Sequence, residues 1–368
     1  MALNGNYMSD AAITTNSGAV SITVNGNYLA NNAITTNSGG VTLSAGSYTA
    51  FGAITTNNTA VSITTTSGGA NLGAMTTGNG TITVATAGAI TQNAPIQQTV
   101  GATTSSFTAG ANPITLTNGG NTLSAIALNN SGNNNVAVVN NSALQLLASN
   151  VGTGTLTLTS NNASVFQAGP IVQAAGAGAV TISAVAAISL TNTNNQFTGA
   201  VGLSSGSGTN ASLTNSTATI LGFSSVGQNL TVISGGTISQ TGALTVPGTT
   251  TLSSTAANSD IQLNNPGEQP DRQRESGGHV DQHPRSGASQ HPRRRRGAQP
   301  GRAEQPAQSD APVRQRRDHA GKHHGDRRRH DRRRRRDQPD RSAGAGRRGL
   351  VRHDLGRRER RRHHPPRA

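Results

Sequence analysis

The sequence contains no cysteine and no tryptophan, and only 2% of its residues are aromatic. Without Cys there is no disulfide framework and no thiolate metal site. A deeper depletion covers residues 1–265. That stretch has no Lys, Arg, His or Glu, and its charged side chains are Asp10 and Asp260 alone. General bases, activated nucleophiles and metal ligands come mostly from the missing types, so catalysis is not expected here. No apolar run is long enough for a membrane-spanning helix, which needs about 18 residues or more. The opening MALNGNYMSD has neither a basic stretch nor an apolar core, so no secretory signal is expected.

The charge that does exist is confined to one end. All 30 Lys and Arg residues and all 10 His residues lie at or after Arg272. Residues 266–368 combine those 30 basic groups with 13 of the 15 acids, a net charge of +17. The isoelectric point near 11.7 therefore describes the tail and not the rest of the chain.

What residues 1–265 do contain is a repeat. LNGNYMSDAAITTNSGAVSIT from Leu3 returns as VNGNYLANNAITTNSGGVTLS from Val24 and as AGSYTAFGAITTNNTAVSIT from Ala45. A weaker copy, TTSGGANLGAMTTGNGTITV, follows from Thr65. Tyr7, Tyr28 and Tyr48 mark the period, and Ile13, Ile34, Ile54 and Met75 keep its phase. A period of roughly 20 residues predicts a stacked solenoid with one repeat per coil. Each unit shows two short alternating runs, such as AITT and VSIT, which read as strands with one face inward. The N-S-G, N-G-N and S-G-G clusters between them read as turns. No helical apolar period is present. About 12 coils at a strand spacing of roughly 4.8 Å would form a rod on the order of 60 Å long.

A longer repeat overlies the short one. Ile114 opens ITLTNGGNTL, Ile188 opens ISLTNTNNQF, and Ile261 opens IQLNNPGEQP, at offsets of 74 and then 73. The phrase NLTVISGGTISQTGALTVPGTTTLSS and these paired I-x-L-x-N segments resemble the repeat region of large bacterial exoproteins of the filamentous-haemagglutinin and autotransporter-adhesin type. The resemblance covers about residues 88–265 and, loosely, the first four repeats. It implies a right-handed parallel β-helix standing on the bacterial outer surface as a secreted adhesive stalk. The partners implied are unidentified molecules of a host or neighbouring cell. Neither the family's amino-terminal secretion domain nor a carboxy-terminal membrane barrel is visible, which suits a fragment of a longer gene.

After Pro266 the composition changes abruptly. Asn vanishes after Asn265, and Arg, His, Gln, Pro, Gly, Asp and Ala take over. Five large apolar residues (Val280, Val313, Leu350, Val351 and Leu355) cannot bury enough surface to offset ordering entropy, so disorder is expected over 266–368. One reading of this tail is a basic arm for nucleic acid or an anionic surface. It has no aromatic residue for base stacking. The other reading is out-of-frame translation. A shift forward by one nucleotide turns CGN arginine codons into Val, Ala, Gly or Asp codons, and GEQPDRQRE can then read A-S-N-L-T-V-S-A-N or close to it. That is the composition of the upstream repeats, and the shift can turn Pro270 into Leu at the position equivalent to Leu123 and Phe197.

Asp10 and Asp260 read as solvated turn residues, too far apart in sequence for paired-carboxylate hydrolysis. β-Helix pectin lyases are an architectural comparison only, because their chemistry needs a basic residue and clustered acids. The calcium-binding G-G-x-G-x-D nonapeptide is absent. Tyr7, Tyr28 and Tyr48 read as a coil-to-coil stack, with an exposed sugar-stacking stripe as the alternative. Asn16, Asn37 and Asn57 read as an inter-coil amide ladder. The Thr14–Thr15, Thr35–Thr36 and Thr55–Thr56 pairs suggest surface strands, and ice binding only if the rows were long and regular. His323 with His324, and His363 with His364, lack a fold to hold a metal.

The expectation is thus an all-β parallel β-solenoid of ~20-residue coils over 1–265, followed by a basic tail over 266–368. No catalytic, cofactor or metal residue is assigned. The expected role is a non-catalytic adhesive stalk, with self-association through open solenoid ends. Nucleic-acid binding is the alternative if the tail is genuinely translated.

Overall fold

The computed structural model describes residues 1–264, apart from Val100, Ala102 and Thr103. The basic tail lies outside the described residues. Every element among the described residues is a short β-strand, and the strands hydrogen-bond in parallel from one coil to the next. The chain is a parallel β-solenoid, as its repeats predict. Two long sheets run through the stack, and a third, five-stranded sheet accompanies the first coils.

Stacking follows from register. Val20, Val41, Val61 and Ile82 face one another on successive strands, and beside them runs Ile22, Leu43, Ile63, Val84, Phe107 and Leu128. The short sheet stacks Ile13, Ile34, Ile54, Met75 and Ile96. Except for the partly buried Ile13, these residues are buried in one continuous apolar interior. Each such side chain contributes roughly 1.5–3 kcal/mol relative to solvent exposure. Because one face of every strand is buried, a one-residue slip would turn the whole apolar set outward, and this fixes the register.

In one respect the coil differs from the sequence reading. The repeats show two alternating runs, but each of the first five coils has three strands. The extra strand is the segment that reads as an N-G-N-Y turn, such as Asn27–Ala30, where Tyr28 and Ala30 point into the core. Turn-forming residues at its start mask its alternation.

The longer repeat has a geometric consequence. Ile114–Leu116 lies in the second long sheet, its equivalent Ile188–Leu190 lies in the first, and Ile261–Gln262 returns to the second. Likewise Leu156–Ser160 belongs to the second sheet and its equivalent Leu230–Ser234 to the first. Each equivalent lies nine strands further along the chain. The unit therefore spans three and a half coils, and successive units exchange the two long sheets. The short third strands reappear in this phase, as Ser149–Val151 with Ile171–Gln173 on one sheet and Ser224–Ser225 with Leu244–Thr245 on the other.

Candidate functional site

Two of the three tyrosines are internal, and Tyr7 is partly buried against them. Tyr7 and Tyr28 stack at 5.4 Å between ring centroids, and Tyr28 and Tyr48 lie 5.6 Å apart at a tilt of 45°. Tyr28 and Tyr48 are each 1% exposed. These residues pack coils together and offer no platform for a sugar. Burial pushes both hydroxyls above the ordinary tyrosine range. For Tyr28 a hydrogen bond with Ser9 Oγ at 3.2 Å opposes that shift, and the neighbouring Tyr7 adds to it. Tyr48 lacks any such partner among the described residues. The exposed aromatic rings among the described residues are Phe51 and Phe223, well apart in the stack.

The asparagine ladder also forms. Asn37 Nδ2 donates to Asn16 Oδ1 at 3.3 Å, and Asn57 Nδ2 donates to Asn37 Oδ1 at 3.4 Å. The row is exposed and runs along a corner of the coil. A second polar row on another corner includes Asn25 donating to Asn4 Oδ1 at 2.7 Å and Ser47 donating to Asn27 Oδ1 at 2.7 Å. Asp10 is tied into this surface, because Asn31 Nδ2 donates to its Oδ1 at 2.6 Å. Asp260 is exposed in the last described coil and accepts from Gln262 Nε2 at 3.3 Å. The two carboxylates stand at opposite ends of the coil stack and are not brought together.

The threonine pairs divide by face. Thr14, Thr35, Thr55 and Thr76 stack outward in register, and the next position is Gln97. Their neighbours Thr36, Thr56 and Thr77 are buried, with Oγ1 donating to the carbonyl three residues on. The outward row is thus short. Among the described residues no group of three or more His, Cys, Asp or Glu side chains could hold a metal, and no helix is long and apolar enough to cross a membrane. His323, His324, His363 and His364 lie outside the described residues.

What sequence reasoning missed is a set of buried carboxamides. Asn121 and Asn195 are fully buried, and each pairs reciprocally with a glutamine one coil away. Gln92 Nε2 donates to Asn121 Oδ1 and Asn121 Nδ2 donates to Gln92 Oε1, both at 2.9 Å. The Gln167–Asn195 pair repeats this at 2.8 Å in both directions. Each Asn also accepts a backbone N–H, from Ile96 or Ile171, and donates to two strand carbonyls. A second pair of residues, Asn140 and Asn215, bonds the backbone N–H and carbonyl of Leu123 and Phe197 as a strand would. Their signal in the sequence is phase: the Gln ending each I-x-Q or V-x-Q strand recurs near the longer period, as does the Asn seven positions after Ile114 and Ile188. The amides of Gln92, Asn121, Asn140, Gln167, Asn195 and Asn215 satisfy one another or the backbone, so they lock the coils and are not free to hold a substrate.

The fold thus defines a repeat protein of the parallel β-solenoid class, with a neutral outer surface of hydroxyls and amides. A family described as repeats of unknown function (DUF5649) matches residues 58–129, 133–204 and 208–269. These matches span more than half of the chain, which belongs to that family. Their boundaries follow the long unit that exchanges the sheets. No curated protein and no solved structure matches the chain.

Proposed function

We propose that this chain is a non-catalytic structural and adhesive repeat stalk of a bacterial cell-surface or secreted exoprotein. The observation that supports it most is the division of chemistry between interior and exterior. Apolar side chains and paired amides fill the inside, and the outside is almost uncharged, with short rows of Thr and Asn on successive coils. Such a surface binds weakly at any one place and gains by repetition, because linked sites act at high effective concentration. The resemblance to haemagglutinin-type exoproteins supports the adhesive and surface assignment. With no basic residue, histidine or paired carboxylate, residues 1–265 carry no catalytic apparatus in this reading.

The test is binding of the full chain to immobilised cell-surface glycans and to bacterial or host cells, over a series of salt concentrations. Adhesion through neutral faces persists at high salt. Binding only to nucleic acid or anionic vesicles, falling steeply with salt, would replace this reading by one centred on the +17 tail. Turnover of a polysaccharide would overturn both.

A further inference from the structure

The amide pairs that lock the first two long units are left incomplete in the third. Gln240 ends the strand Ile238–Gln240 in the phase of Gln92 and Gln167. Its Nε2 donates to the carbonyl of Gly242 at 2.8 Å, as Gln92 does to Ala94 and Gln167 to Gly169, both at 2.7 Å. In those two units Oε1 accepts from Asn121 or Asn195, and from the backbone N–H of Asn118 or Asn192. Gln240 Oε1 is buried and has no partner among the described residues. The strand that should deliver one is in place. Ile261 faces Ile238, as Ile114 faces Ile90 and Ile188 faces Val165.

We infer that the third unit contains a built socket around Gln240 that takes a carboxamide side chain seven positions after Ile261, and that the chain encodes this side chain one nucleotide out of frame. The position in phase with Asn121 and Asn195 is Glu268. An ionised Glu has only acceptors. It cannot donate to Gln240 Oε1 or to carbonyls equivalent to those that Asn121 and Asn195 reach. Two residues on, Leu123 and Phe197 donate their N–H to Asn140 and Asn215. The matching residue is Pro270, which has no N–H and no large side chain to bury.

One change repairs both positions. The glutamate codon GAR is followed by the glutamine codon of Gln269, CAR, so reading one nucleotide on gives ARC, which is Asn or Ser. The proline codon CCN followed by the G of Asp271 gives CNG, which includes Leu. With GAA as the Glu268 codon and CCT as the Pro270 codon, the shift that restores composition over the tail also restores the donor that Gln240 lacks and the large apolar residue two positions on. A buried polar group without a partner is rare in native folds and calls for a specific explanation.

The experiment compares the full chain with its Glu268→Asn/Pro270→Leu variant by amide hydrogen exchange over 230–262. Local opening of the terminal coils is the quantity this reads. The expected result is protection of the Ile238–Gln240 and Thr250–Ser254 amides raised about tenfold, as one lost buried hydrogen bond would imply. The same double variant on a Gln240→Leu background should show no such gain. Unchanged protection, or a gain that survives Gln240→Leu, would overturn the socket. Sequencing the gene tests the frame itself: an early stop codon in the shifted frame would overturn that part.

Discussion

At the residue scale, the buried polar groups decide more than the apolar ones. Tyr28 and Tyr48 occupy equivalent places, yet only Tyr28 has a hydroxyl partner, Ser9. The position of Ser9 one coil on is Ala30, so Tyr48 is left without one. Removing an unpaired buried hydroxyl relieves a penalty of about 1–3 kcal/mol. Tyr48→Phe should therefore raise stability in denaturant titration, whereas Tyr28→Phe should lower it by about 1 kcal/mol. Equal effects would show that the hydroxyls are solvated alike. The same burial sets the alkaline limit. The folded state holds the Tyr48 proton above the ordinary value of 10.0, so its contribution is fully present below about pH 10 and is lost as pH rises further. In a Tyr7→Phe background, tyrosinate absorbance should appear together with unfolding, and Tyr48→Phe should move that transition to higher pH.

Asn195 offers a sharper test of the amide pairs. Its Nδ2 donates to Gln167 Oε1 and to the carbonyls of Leu190 and Thr214. Asn195→Asp keeps the shape and removes every donor, placing a carboxylate against three acceptors. We expect a loss of about 3 kcal/mol or more at neutral pH, partly recovered in acid when the carboxyl is protonated. Little change, measured by urea unfolding, would mean the amide is not oriented as described.

At the scale of elements, turns set how closely coils approach. Gly152 and Gly227 are equivalent in the long unit, and a Cβ there would collide with the carbonyl oxygen of Gly132 and of Gly206, respectively. Backbone cannot yield as a side chain can, so Gly227→Ala should separate two coils locally. The expected cost is about 1–3 kcal/mol, with hydrogen exchange accelerated over the adjoining strands and not elsewhere. This scale also shows what the sequence makes readable. The short period, the inward Ile and Val columns, the tyrosine stack and the Asn16–Asn37–Asn57 ladder were legible, because identical residues recur at fixed spacing and have one way to stack. The third strand was hidden by Asn25, Gly26 and Asn27 at its start. Gln92, Asn121 and their equivalents were hidden because isolated carboxamides look like loop residues until their partners, 28 or 29 residues away, are in place.

At the scale of the described stack, the half-integral unit governs what the protein presents. A unit of three and a half coils puts equivalent outer strands alternately on the two long sheets. Any contact surface built by the long repeat is therefore displayed on both sheets. Stability should also be nearly independent of salt, since residues 1–265 carry two charged side chains.

The chain's lack of cysteine makes the exchange of sheets directly measurable. Paired spin labels at Thr157 and Thr231 mark equivalent positions one long unit apart, and labels at Thr157 and Ser239 mark one face across four coils. Four rungs along a face give about 19 Å between backbones. The half-integral unit predicts a longer distance for Thr157–Thr231 than for Thr157–Ser239, although the first pair is closer in sequence and along the stack. A shorter or equal Thr157–Thr231 distance would place both residues on the same sheet and contradict the half-turn architecture.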